Sequence, residues 1–356
     1  MKGSRWIWII GIVVAIGLGF LLFKGPIPEV VLPSEDLFTI GPWAVRNTVF
    51  TSWVVIAFLG IMAYLSSRKT SLVPVRFLQN FVESVIEWAY GIVEGVAGEP
   101  NARRFFPIVA TIFFYVVCSN WFGLLPIYGT IGLAKTPEVA AGETKHAVQY
   151  KKVDLGPLPF AYEGLRPKAV DVTAGDAGQV KRVDGQPLAT DANHSNYTGT
   201  LVPIFRSVFS DANAPLSIAL VSFFVVEYWG ISVLGLGTYL GKFFNFKLLL
   251  HGNPAGLIDV FVGLLELISE LIRIISFTFR LLGNIFAGEV LLGFMTFLVP
   301  FFIPTIFYGL ELFVGFIQAS VFALLTLVFA VMAVEHHGEE HEAQGHGTEQ
   351  LELEPA

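Results

Sequence analysis

Six stretches of this chain, at about residues 6–23, 47–66, 105–126, 213–240, 257–299 and 300–334, are apolar for close to 20 residues or more. About 20 such residues carry a helix across roughly 30 Å of hydrocarbon. Hydrocarbon offers backbone amides and carbonyls no partner, so a spanning run must close its own hydrogen bonds as a helix. A β-barrel would instead alternate over segments of about 10 residues. The chain therefore reads as an all-α membrane protein of about five to six hydrophobic helices. Of its 356 residues 54% are hydrophobic and 14% charged, which excludes an ordinary soluble domain. A net charge of −7 gives no basic footprint for nucleic acid. The single cysteine, Cys118, lies in an apolar run, so neither a disulfide framework nor a thiolate metal site is available.

Charge placement orders these segments. Lys2 and Arg5 precede the first run, so residues 1–46 read as an N-terminal anchor, similar to a signal peptide, followed by an external linker. Arg68, Lys69 and Arg76 mark the cytoplasmic side of the second span and set the N-terminus inside. Residues 47–126 form a block of transmembrane helices. Within it, Phe77, Phe81, Val85, Trp88, Ile92 and Val96 recur at helical spacing among Gln79, Glu83, Glu87 and Glu94, which predicts an amphipathic interfacial helix over 77–97. Residues 127–212 are rich in Gly, Pro and both signs of charge and read as a small, partly ordered extracytoplasmic insertion. Ser210, Asp211 or Asn213 caps the next span, and Lys242 and Lys247 return the chain to the cytoplasm. Helices fill 213–334, and the His/Glu-rich tail 335–356 is a solvated cytoplasmic segment.

Beyond Lys247 the only basic residues are Arg273 and Arg280, both inside an apolar tract. Residues 257–299 are helical in pattern without proline and would make a rod of about 64 Å at 1.5 Å per residue, so the helix either tilts strongly or breaks near Gly283 or Gly288. On a helical wheel, Glu266, Ser269, Arg273, Ser276, Gly283, Asn284 and Ala287 all fall within about 60° of Arg280. Such a small, polar stripe faces protein or water rather than lipid. Arginine cannot shed its charge, so it needs an acid. Glu266 and Glu270 can serve Arg273 as helical neighbours, but Arg280 has no acid at i±3 or i±4. A carboxylate from another chain is the economical answer.

The second arm carries Glu311 and Gln318. In an antiparallel hairpin turned at Pro300 and Pro304, nearly the same register brings Arg280 to Gln318 and Glu289 to Glu311. No basic residue lies near Glu289 or Glu311 in sequence, and two carboxylates in a poorly solvated site titrate as a coupled pair. Glu289 nevertheless falls on the opposite side of a straight helix from Arg280, which calls for curvature, a kink or a different lateral partner.

The segment "FRLLGNIFAGE" resembles the signature of subunit a of the rotary F-type ATP synthases, with Arg280, Asn284 and Glu289 at its positions. "IQASVFALLT", holding Gln318, "NWFGLLP", which opens on Asn120, and "SDANAPLSIAL" resemble further segments of that family. The resemblance covers about residues 47–334. It implies a multi-pass subunit of the bacterial inner (plasma) membrane, without cofactor or catalytic activity of its own, that meets a ring of c subunits, b-type peripheral stalk subunits and the rest of the synthase. A carboxylate on each c subunit would pass Arg280, and two offset half-channels would deliver protons to it and remove them. The family in some members pairs an acid with a histidine where this chain has Glu289 and Glu311. A competing reading is a secondary transporter or ion channel whose midplane arginine binds an anion; that architecture would show an inverted repeat, and none is visible. Sodium instead of proton as the coupling ion is a narrower alternative, since in the family that this chain resembles the ion-selective ligands lie mainly on the ring.

Overall fold

The computed structural model describes residues 34–68, 77–125, 131–135, 144–154, 159–163, 169–173, 188–189, 196–243, 256–299 and 303–335, with single positions at 11 and 17. The expected anchor (apart from those two positions), the turn at Pro300 and the tail from His336 lie outside the described residues. The fold is predominantly helical. Its helices are α1 (Asn47–Ser67), α2 (Phe77–Gly123), α3 (Asn213–Leu234), α4 (Leu236–Phe243), α5 (Gly256–Leu298) and α6 (Ile303–Glu335). Four of the described helices, α1, α2, α3 and α6, are long and apolar enough to cross a membrane. α5 is as long as two spans, and it runs unbroken over 43 residues through Gly283 and Gly288, so the tract does not split into two.

The chain forms two compact units. The first comprises Met1–Phe58, Val117–Ala214 and Leu282–Phe316. It opens with an antiparallel hairpin, β1 (Asp36–Ile40) and β2 (Trp43–Arg46), turned at Gly41, whose φ of 62° suits glycine. β2 leads directly into α1. Asn47 and Thr51 there are fully buried, and both hold the strand end that approaches them. The Asn47 side-chain amide donates to the Pro203 carbonyl at 3.3 Å, and Thr51 Oγ1 accepts the Arg206 backbone N–H at 3.2 Å.

The insertion departs from the all-α expectation. Its described parts are strands β3 (Ile131–Lys135), β4 (Thr144–Asp154), β5 (Pro159–Glu163), β6 (Ala169–Thr173), β7 (Leu188–Ala189) and β8 (Asn196–Pro203). They form one antiparallel sheet in the order β6-β4-β5-β3-β8-β7, and β4 also pairs with β8, which closes a ring of four strands. Ladder hydrogen bonds satisfy the backbone of these strands, and the Val, Tyr and Thr content of β4 and β8 suits a pleated surface. Closure also leaves fewer strand edges unpaired.

Beyond β8 the chain makes a 3-10 turn at Val208–Ser210 and enters α3. Of the three candidate caps, Asp211 is the one that accepts the Asn213 backbone N–H. Ser34 donates to it at 2.6 Å and Arg46 at 3.3 Å, tying the hairpin to the start of α3. Partial burial alone would raise the Asp211 carboxyl, but the hydrogen bonds from Ser34, Asn213 and Arg46 outweigh it and hold the group below its usual range.

The second unit comprises Leu59–Val116, Pro215–Leu281 and Ile317–Ala356. In it α2 kinks at Gly98, where φ is 74° just before Pro100, so the 77–97 segment is a separate helical piece. Phe77, Phe81 and Trp88 on that piece remain exposed in the chain, while Gln79 is buried. The core is apolar packing such as Phe105 against Trp229, ring centroids 4.5 Å apart. α3 ends at Gly235, with φ of 80°, and α4 turns back so that Tyr239 covers Gly230. A Cβ on Gly230 would lie 2.5 Å from the tyrosine ring, so only glycine admits this return.

Candidate functional site

In the second unit α5 and α6 pack antiparallel. Arg273 of α5 lies with its guanidinium 3.6 Å from the Phe329 ring, and one turn on Phe277 meets Phe322 at 4.6 Å between ring centroids. Arg280 is one turn beyond Phe277, and Gln318 one turn before Phe322. Arg280 is half-buried and makes no ion pair among the described residues; its nearest aromatic contact is the Phe277 ring at 5.7 Å. Gln318 Nε2 is buried without an acceptor, and no hydrogen bond joins Gln318 to Arg280. Two polar groups thus stand on facing turns with unspent hydrogen-bonding capacity, a costly arrangement unless something else completes it.

Arg273 differs. Glu270 accepts from it at 2.6 Å, and the two side chains are only 16% and 9% exposed. Together with Glu266, Ser269, Tyr239 and Met332 they line a cavity of about 160 Å³, roomy and polar enough for several waters. Tyr239 in turn donates to Glu227 at 2.6 Å. The sequence reading passed over Glu227, although an acid inside an apolar span is a signal of the same kind as Glu289. Replacing Glu270 by Gln strips a desolvated arginine of its countercharge and is expected to cost about 3–5 kcal/mol. Glu270→Gln combined with Arg273→Met removes both charges and is expected to be nearly neutral, which thermal unfolding of the purified protein distinguishes.

In the first unit Glu311 lies against Gly288: a Cβ built there would sit 2.5 Å from Glu311 Oε2. This contact shares the register of Phe277 with Phe322. Glu289, the next residue, faces Arg206, 3.7 Å away, with Arg206 only 12% exposed. For Glu289 the expectation of no neutralising basic residue is therefore overturned, while Glu311 has no ion-pair partner among the described residues: the cation at Glu289 comes from the far end of the insertion, beyond the reach of sequence-neighbour rules. It is also the lateral partner that the helical wheel left open for Glu289. Asn120, 2% exposed, donates to the Gly315 carbonyl at 3.1 Å, and Trp121 to that of Leu312 at 3.0 Å, so the end of α2 clamps α6 beside Glu311. Asn284 is half-buried, its amide nitrogen without a partner. Among the described residues no cluster of His, Cys, Asp or Glu could hold a metal ion.

Comparison with known proteins draws on most of these elements together. The pattern of the family described as ATP synthase A chain matches residues 49–151 and 192–331. ATP synthase subunit a of Moorella thermoacetica is 25% identical over 302 residues, 85% of this chain and 97% of the relative. ATP synthase subunit a 2 of a Bradyrhizobium species is 25% identical over 303 residues, 85% of this chain and 95% of the relative. Subunit a of Helicobacter acinonychis is 25% identical over 302 residues, 84% of this chain and 96% of the relative. The two matched segments take in α1 to the start of the sheet, β8, the segment after it that holds Arg206, and the helices that carry Arg280, Glu289, Glu311 and Gln318, and the chain belongs to the ATP synthase A chain family.

Proposed function

We propose that this chain is the stator subunit a of an F-type ATP synthase, forming two proton half-channels against a rotating c ring and so coupling proton flow to ATP synthesis. It is a non-catalytic, multi-pass membrane component of its complex. The observation that carries the mechanistic reading is Arg280, a permanent cation on a long apolar helix with no ion pair among the described residues. A positive charge that never leaves is useful where a negative one must repeatedly come and go. Each c-subunit carboxylate would be held ionised as it passes Arg280, and the same charge would bar protons from crossing directly between half-channels. Glu289 and Glu311 would serve the external half-channel, with Asn120 holding α6 in place. Glu266, Ser269, Glu270 and Arg273 would line a water-holding route to the cytoplasm.

In this reading residues 127–212 lie outside the cell and both termini inside, and b-type stalk subunits hold the chain against the ring's torque. The exposed apolar residues of the 77–97 segment would meet lipid at the membrane surface or a neighbouring subunit. An affinity-tagged chain extracted gently from its native membrane is expected to bring down a ring of small acidic-centred subunits and the soluble catalytic subunits. Recovery of the chain alone, able by itself to carry an anion across proteoliposomes, would instead establish a transporter and overturn the stator assignment.

A further inference from the structure

The segment that delivers Arg206 is fixed on both sides. Phe205 packs on Phe50 at 5.7 Å between ring centroids, the Arg206 N–H is held by Thr51 Oγ1, and the Ser207 side chain fills the space where a Cβ on Gly123 would stand, 2.9 Å from it. A largely buried guanidinium on so pinned a backbone is a preorganised charge and not a wandering surface side chain. It faces Glu289 from the segment preceding the 3-10 turn, while Glu311 approaches from α6 onto the bare face of Gly288. The other titratable group on the α6 face nearby is Tyr308, one turn before Glu311; Asp211 is committed to Ser34, Asn213 and Arg46. Among the described residues Glu311 has no ion-pair partner, whereas Glu289 has Arg206. Two carboxylates on adjoining positions of one helix pair therefore sit in unequal fields.

Resting on the stator reading, we propose that Arg206 is a positioning residue that sets the order of the two acids: it holds Glu289 as the standing anion, so that the transported proton is taken up and released at Glu311. The proton leaves water for a Glu311 carboxylate oxygen and departs from the same group toward the rotor, with no net change at Glu289. This gives the insertion a task as well, since its closing strand β8 leads directly into the residue that delivers the charge.

The test is the pH dependence of ATP-driven proton pumping in inverted membrane vesicles carrying the whole complex. Arg206→Gln leaves Glu289 uncompensated beside Glu311 and is expected to move the profile to higher pH by about one unit or more, since an opposite charge at this range shifts a titration by about 1–3 units. Glu289→Gln leaves Arg206 facing Glu311 alone and is expected to move the profile to lower pH. Arg206→Lys, which keeps the charge, is expected to return the profile to the parent position. Opposite displacements of the first two variants support the assignment. Displacement in the same direction, or none, overturns it, and the Glu289→Gln arm alone decides if Arg206→Gln does not assemble. Arg280→Ala in the same vesicles separates the two levels: normal pumping there removes the stator reading itself, whereas failed pumping with unmoved Arg206 and Glu289 profiles removes this inference only.

Discussion

Membrane vesicles bearing Arg280→Ala are expected to make no ATP above background and to leak protons passively through the assembled membrane sector. The reasoning is electrostatic. An arginine in hydrocarbon costs about 2.5–3.5 kcal/mol at a helix centre on an insertion scale, and Arg280, on the long apolar helix α5, has no acid at i±3 or i±4 and no ion pair among the described residues. Its neighbour on the facing helix, Gln318, holds an amide nitrogen buried without an acceptor. On the proposed mechanism such a site is completed by an anion that arrives from elsewhere. With alanine the arriving carboxylate loses the charge that ionises it, and the barrier between the two half-channels falls, so synthesis stops while leak rises. Loss of synthesis without leak would point to a merely structural defect. Arg280→Lys is expected to fail largely as well, because a desolvated lysine can give up its proton where arginine cannot. ATP synthesis near the parent rate in Arg280→Ala vesicles would end the mechanism.

The helical part of the fold was legible because membrane physics is coarse. Apolar runs of span length, basic residues near the ends of several of them and, in α5, a pattern unbroken by proline specify α1, α3, α5 and α6 almost from spacing alone. Gly98 and Pro100 mark the kink in α2, and Asp211 was among the candidate caps. The α5 and α6 contacts also follow from local rules, since the packing of Phe277 on Phe322 and of Gly288 on Glu311 lies in the hairpin register that the polar residues imply. The sheet was not legible. Its strands are short, separated by polar segments and stabilised by pairing between distant stretches, so β4 and β8 carry little signal until they meet. Arg206 was hidden for the same reason: its partner Glu289 is remote in sequence, and a basic residue at the end of a charged insertion looks like solvent-facing surface. Glu227 was visible as an acid in an apolar span, but only Tyr239, returned by the turn at Gly235, gives it a partner.

Gly288→Ala is expected to separate function from folding at the second acid. A methyl group at this position would come within 2.5 Å of Glu311 Oε2 and 2.6 Å of its carboxyl carbon, too close to coexist. What must move is the far end of a flexible side chain, so α5 and α6 can keep their packing while the Glu311 carboxylate is pushed off its rotamer, which costs about 0.5–1.5 kcal/mol for a displacement of about 30°. Alanine is also the better helix former by about 1 kcal/mol, which offsets that strain. Assembly and thermal stability are therefore expected to stay close to the parent. Proton transport is not, because a shift of about 1 Å in a reacting group can cost on the order of 100-fold in rate. Glu311→Gln gives the comparison in which the carboxyl group is abolished rather than displaced. The informative variant is Gly288→Ala with Glu311→Asp, where the acid shortened by one methylene retreats from the new methyl group. It is expected to recover part of the rate that Gly288→Ala loses, measured as ATP-driven pumping per assembled complex. Parent-like pumping by Gly288→Ala would mean that the position of Glu311 does not matter to transport, and a loss of assembly in the same variant would mean that Gly288 serves only the packing of α5 on α6.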